Sequence, residues 1–273
     1  MSAVILAVLD RAETADRVLA AAGCLSELTG AGRVNGLAVR RRPIDTIMPT
    51  EQILTPEYAS HVRADEQRRA DALKAMFDAW GEAQQRGLAT AWSDVEGRAA
   101  EVVADFGRRA DFVVLKRPAP HDPDPDRQAV HAALFETDRP ILMVPAETAP
   151  APFGRTVAIA WRNDERTVKA VLAALRCLKR AERIHVLAGA REGAPEPRMP
   201  DIFEEHGIAA ELHVLPITGQ GVFGAALLAR AHALACDMLV MGAFARHPLR
   251  SLILGGVTRH MLAHADLPVF MRH

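Results

Sequence analysis

The sequence is short of net charge, of paired cysteines and of long hydrophobic runs. Its 33 Lys and Arg residues nearly cancel its 34 Asp and Glu residues, leaving a formal net charge of −1. No overall basic field therefore draws it to nucleic acid or to an anionic membrane, and neither is expected as a partner. There are three cysteines, Cys24, Cys177 and Cys236, far apart and without a CxxC pair. That excludes a disulfide framework and points to buried thiols in a reducing compartment. The apolar N-terminal run at residues 3–9 meets Asp10, Arg11, Glu13, Asp16 and Arg17 at once. It is too short for a signal segment or a membrane span, so the cytoplasm is the expected location. No serine sits in a GxSxG turn, no Walker-type lysine loop occurs, and no nucleophile–base pair stands out. His260, His264 and His273 have no Glu, Cys or further His beside them at ligand spacing, so no metal is expected there.

What the chain does hold is a core-forming composition, 49% hydrophobic and 25% charged. Over 273 residues this supports one large domain or two small ones. Apolar runs at residues 4–9, 34–39, 89–92, 111–115 and 141–144 read as strands, the first as one buried on both faces. Helical periods lie between them at 12–28, 57–86, 97–106 and 127–136; Gly30 and Gly32 end the first and Gly87 the second. The stretch 40–56, opening with Arg40, Arg41, Arg42 and Pro43, reads as irregular. The stretch 116–126, rich in Pro and Asp, reads as a loop. Strands alternating with helices predict a doubly wound parallel sheet.

Residues 145–154 are a Pro- and Ala-rich linker, and the pattern then begins again. Strands are predicted at 156–161, 183–188, 211–216, 238–241 and 266–271, and helices at 165–178, 201–206 and 223–235. The two halves share anchors in the same order. Asp111-Phe112-Val113-Val114-Leu115 corresponds to Asp237-Met238-Leu239-Val240-Met241. Asp138-Arg139-Pro140-Ile141-Leu142-Met143 corresponds to Asp266-Leu267-Pro268-Val269-Phe270-Met271, and Val4-Ile5-Leu6-Ala7 to Val157-Ala158-Ile159-Ala160. The chain is an internal duplication of a five-stranded α/β unit. The predicted domains are 1–147 and 154–273.

One stretch concentrates phosphate-binding features. After the strand 238–241 come Gly242, a polar loop with Arg246, His247 and Arg250, then Gly255-Gly256 and Thr258 at the start of a short helix. Glycines let backbone N–H groups approach an anion, and a helix N-terminus adds a favourable dipole. With these residues in view, the chain resembles a tandem member of the universal stress protein family. The resemblance covers nearly the whole chain and is strongest over 237–271. It implies two tandem five-stranded parallel doubly wound α/β domains of the adenine-nucleotide α-hydrolase-like class, packed as a pseudo-dimer through closing strands such as 141–143 and 269–271. Nucleotide-binding members carry a glycine, two residues, a glycine, nine residues, a glycine and then Ser or Thr. Here Gly242 and Gly255 fit the first and third glycines, Ala245 stands for the second, and Gly256 takes the hydroxyl position, with Thr258 close enough to supply the lost hydroxyl.

The resemblance implies a stress-response protein that binds ATP, or AMP or ADP, with Mg²⁺, acting as a ligand-dependent regulator with at most slow ATP hydrolysis. The implied nucleotide-binding residues are Gly242, Ala245, Arg246, Gly255, Gly256, Val257 and Thr258, with Trp161 and Arg162 across the cleft. Two departures favour the alternative, a nucleotide-free interaction module with an unnamed protein partner. The Asp that nucleotide-binding members carry at the end of the first strand is replaced in the second half by Arg162, with Asn163 and Asp164 next to it. In the first half, Lys116-Arg117-Pro118 stands where Gly242-Ala243-Phe244 stands in the second, and proline makes a poor cradle for phosphate. The first half is expected to be a degenerate, non-binding copy. Homodimerisation is a further expectation.

Overall fold

The structure is a computed structural model that describes residues 3–47, 54–84, 87–119, 124–145, 147, 151–217, 222–246 and 253–273, with the backbone alone at 124–125, 245–246 and 253–254. The chain divides into two compact units, Met1–Arg139 and Pro140–His273.

The first unit runs β1 (Val4–Val8), α1 (Ala12–Thr29), β2 (Arg33–Arg40), α2 (Pro56–Glu82), β3 (Ala89–Glu96), α3 (Ala99–Arg108), β4 (Phe112–Lys116) and α4 (Asp124–Phe135). Its strands lie in the order β3-β2-β1-β4, with β1 parallel to both β2 and β4 and β2 parallel to β3. The apolar runs become strands because helices cover the sheet; Ile5, Leu6, Ala7, Val113 and Val114 are at most 1% exposed. Helix ends follow their sequence signals. Gly30 caps α1 in the left-handed region at φ 71, its N–H donating to Ser26 O, and a glycine there avoids a Cβ clash. Pro56 opens α2 behind Thr55, whose hydroxyl accepts from Tyr58 N at 3.2 Å. Within the stretch expected to be irregular, the described residues include a 3₁₀ turn, Pro43–Thr46.

The second unit contributes β5 (Ile141–Val144), β6 (Thr156–Trp161), α5 (Glu165–Leu178), β7 (Arg183–Ala190), α6 (Asp201–Glu205), β8 (Glu211–Pro216), α7 (Phe223–Ala233), β9 (Met238–Gly242), the short pair β10 (Ala245–Arg246) and β11 (Ile253–Leu254), α8 (Gly256–His264) and β12 (Val269–Arg272). Its sheet order is β8-β7-β6-β9-β12-β5. Five strands are parallel, and β5 pairs antiparallel with β12 through Met143–Val269, Leu142–Phe270 and Ile141–Met271. The closing strands of the two sequence repeats are therefore partners. The compact unit begins at Pro140 while the sequence repeat begins after the linker, because β5 is built into the second sheet.

One local feature repeats with the fold. The Asp237 carboxylate accepts from the backbone N–H groups of Gly154, Arg155 and Thr156 at 2.8–3.3 Å. Its counterpart Asp111 accepts from Val4 N at 2.7 Å. In each repeat an aspartate before the fourth strand fixes the start of the first. No helix among the described residues is long and apolar enough to cross a membrane.

Candidate functional site

In the second unit β6 stands between β7 and β9. The chain leaves β6 toward β7 on one side, while β9 flanks it on the other. Such a reversal of strand order opens a crevice beyond the carboxyl ends of the strands. A cleft of about 1050 Å³ lies there. Its floor is the ends of β6, β7 and β9. Its walls come from the start of α5, the loop 191–200, α6, α7 and the first turn of α8.

Seven residues singled out from the sequence line this cleft: Trp161, Arg162, Gly242, Gly255, Gly256, Val257 and Thr258. Ala245 and Arg246 form β10, antiparallel to β11, and their side chains lie outside the described residues, as do His247 and Arg250 entirely. Ala245 is in extended backbone, where alanine carries no strain.

The individual side chains do different work from what their types suggest. Gly242 is fully enclosed by the start of α5. A Cβ there would stand 2.8 Å from Thr167 N and 2.9 Å from the Arg166 carbonyl carbon. The glycine is required by helix–strand contact, independently of any ligand. Gly255 is the N-cap of α8; its N–H donates to Phe244 O at 2.8 Å, and a Cβ would meet Phe244 Cβ at 3.1 Å. The Thr258 hydroxyl accepts from Phe244 N at 3.0 Å and is fully buried. It closes the turn after β9 onto α8 and faces the protein. Gly256, Val257 and Thr258 lie in the first turn of α8, where backbone N–H groups have no intrahelical partner and point outward along the axis.

Across the cleft, Asp164 is the N-cap of α5 and accepts from Thr167 N at 3.0 Å. It also pairs with Arg162 Nε at 2.9 Å. Its Oδ1 is committed to the helix cap, while its buried Oδ2 accepts no hydrogen bond among the described residues; Asn163 lines the cleft. The guanidiniums of Arg162 and Arg166 lie over the Phe244 ring, 4.6 and 5.5 Å from its centroid, a favourable cation–π arrangement. Trp161 meets the buried Phe203 edge-on, with ring centroids 5.8 Å apart, and stays half-buried at the cleft.

Sequence reasoning passed over three cleft residues, Arg166, Arg191 and Arg198. The last two stand in the loop between β7 and α6. Among the described residues lining the cleft there are four arginines, Arg162, Arg166, Arg191 and Arg198, against a single acid, Asp201. In a chain of net charge −1 this is a local positive field, focused by the cleft walls. The signal legible in the sequence was position: these arginines follow β6 and β7 at their carboxyl ends.

The corresponding place in the first unit is different. A cavity of about 210 Å³ remains there. Lys116, in the position of Gly242, reaches Asp10 at 3.0 Å and Asp126 at 3.8 Å, and Arg11 also meets Asp126 at 3.0 Å. Arg69 donates to Asp10 O at 2.7 Å and to Val39 O and Glu66. Burial pushes the Glu66 carboxyl up, but the N–H of Arg41 and the guanidiniums of Arg69 and Arg41 outweigh it and hold Glu66 below the ordinary carboxylate range. The first unit fills its own crevice with ion pairs.

Fold and cleft together define a duplicated parallel α/β protein with an arginine-lined crevice at the strand-order reversal of its second repeat. Residues 171–273 match the universal stress protein family, the family that the sequence pattern resembles. The match begins inside α5, beyond the strand whose end carries Trp161 and Arg162. Among solved structures, the chain is similar to a universal stress protein from Archaeoglobus fulgidus DSM 4304, with TM-score 0.74, 14% identity and coverage of 100% of this chain and 96% of that one. It is also similar to a protein from Pseudomonas aeruginosa UCBPP-PA14 assigned to the same family, with TM-score 0.64, 15% identity and coverage of 99% and 93%. A third similar structure is the cytoplasmic domain of a prokaryotic cation chloride cotransporter, with TM-score 0.52, 11% identity and coverage of 99% and 95%. No curated protein matches the chain significantly. Identities this low establish the fold alone, and the cotransporter domain illustrates that one fold serves different functions.

Proposed function

We propose that the second unit binds an adenine nucleotide, ATP or its di- or monophosphate, as a regulatory ligand, and that the first unit does not. The observation that carries this reading is the cleft of about 1050 Å³ with four arginines and one acid on its lining. The phosphates would lie at the first turn of α8, against the N–H groups of Gly256 and Val257, with Arg166 and Arg198 as counter-charges. The base would lie toward Trp161 and Ile202, the more apolar part of the lining. With Asp164 engaged as a cap and Thr258 turned inward, ribose and metal contacts are fewer than the family pattern implies. The arginines compensate, and the preference shifts toward ligands richer in negative charge.

A second reading, a nucleotide-free module that acts through a protein partner, is supported by the ion pairs filling the first unit and by the engagement of Thr258. Isothermal titration of the full chain with ATP and Mg²⁺ separates the two. Under the first reading, binding occurs and Arg166→Ala weakens it about tenfold to hundredfold, the value of one charge-assisted contact. Absence of heat at millimolar nucleotide sinks the first reading and leaves the second.

A further inference from the structure

Three side chains outside the cleft converge at the outer edge of the second unit's sheet. His185 belongs to β7, and Glu211 and His213 to the edge strand β8. Strand geometry brings them together. His185 is in register with Glu211, and alternate residues of one strand share a face, so His213 joins them on it. His185 Nδ1 lies 3.0 Å from His213 Nε2 and 3.3 Å from Glu211 Oε2, and His213 Nε2 lies 3.6 Å from the same oxygen. Ligands held at ~2.0–2.1 Å around a tetrahedral metal ion are separated by about 3.3 Å. The three donor atoms therefore already form one face of such a tetrahedron. A hydrogen bond explains the shortest side alone, since a single proton can stand between two imidazole nitrogens. Both imidazoles are shielded, His185 at 8% and His213 at 11% side-chain exposure, whereas Glu211 reaches solvent at 70%. The site thus has a fixed base and an open entrance.

A fourth residue bears on the protons. Arg230 Nη2, from α7, is 3.0 Å from His213 Nδ1. A guanidinium only donates. Nδ1 must then offer its lone pair, which leaves the His213 proton on Nε2, directed at His185 Nδ1. Ligation through Nε2 needs the opposite tautomer, with the proton on Nδ1.

We infer that His185 Nδ1, His213 Nε2 and Glu211 Oε2 form a site for one divalent transition-metal ion of the zinc type, with water in the fourth position, and that Arg230 holds the metal-free form. Two imidazoles and one carboxylate suit zinc and its neighbours better than magnesium or calcium. On binding, the proton leaves Nε2 for Nδ1 by way of solvent, Arg230 turns away, and no oxidation state changes. The ion staples the edge strand β8 to β7. These are not the histidines conspicuous in the sequence; His260 and His264 lie on α8 with their rings tilted against each other, centroids 4.6 Å apart.

The test is a zinc titration of the untagged, chelator-treated full chain in competition with a chromophoric chelator. Cobalt(II) absorption then reports the geometry. The inference expects one zinc per chain and a tetrahedral cobalt spectrum. It expects Glu211→Gln, an exposed change that leaves the fold intact, to weaken binding at least about tenfold. His213→Gln should abolish binding, and Arg230→Met should strengthen it. Zinc affinity unchanged in both Glu211→Gln and His213→Gln, or no zinc uptake by either the wild type or Arg230→Met, overturns it.

Discussion

Lys116 and Gly242 close the fourth strand of their repeats at the same position, and the difference between an aminobutyl chain and a hydrogen atom decides what each crevice holds. Lys116 brings an ammonium to Asp10 and Asp126; Gly242 lets α5 settle against β9 and leaves the space beyond open. At the same scale, Cys236 is a structural thiol. Burial first, then the neighbouring Asp237, pushes its pKa up to about 11, so the nucleophilic thiolate is scarce at neutral pH. Alkylation of the native protein at pH 8 should therefore modify the half-buried Cys24 well before Cys236, read by peptide mass spectrometry. Modification of Cys236 at the rate of a free thiol would contradict this. The glycines, the Arg162 substitution and the lysine replacement were all legible in the sequence. The inward turn of Thr258 and the capping role of Asp164 were not, because each depends on which way one side chain faces once a loop has closed.

At the scale of elements, the contact of β9 with the start of α5 and the buried carboxylate on α2 carry the clearest consequences. Gly242→Ala would place a methyl group 2.8 Å from a backbone nitrogen, which cannot move as a flexible side chain would. A destabilisation of ~1–3 kcal/mol is expected, seen as a lowered denaturation midpoint, and a neutral result would show that α5 can shift. Glu66, nearly enclosed on α2, binds Arg41 and Arg69. Its folded-state pKa is depressed, so its stabilisation is full above the ordinary carboxylate value of about 4.3 and is lost as pH falls through the lower folded value. Glu66→Gln should cost about 2–3 kcal/mol at pH 7, with the gap to wild type closing in acid. A gap independent of pH would show that shape, and not charge, matters there. Strands and helices were readable from apolar runs and helical periods. The short β10–β11 pair was not, since two residues carry no periodicity, and neither was the cluster of His185, Glu211 and His213. His185 precedes Glu211 by 26 residues and His213 by 28, and only the register of β7 with β8 joins it to them.

At the scale of the whole molecule, duplication allows one copy to keep an open crevice while the other becomes filled. The repeat, the order of elements and the likeness to universal stress proteins could be read from the chain, because three anchors recur in sequence order. The difference between the two crevices lies in volumes and ion pairs that appear only in three dimensions: about 1050 Å³ with excess positive charge in the second unit, against about 210 Å³ crossed by ion pairs in the first. The most direct test is the stoichiometry of ATP on the untagged full chain by equilibrium dialysis. One nucleotide per chain, lost when Arg166 and Arg198 are both changed to Ala, is the predicted result. Two nucleotides per chain, or none at millimolar ATP, would contradict it.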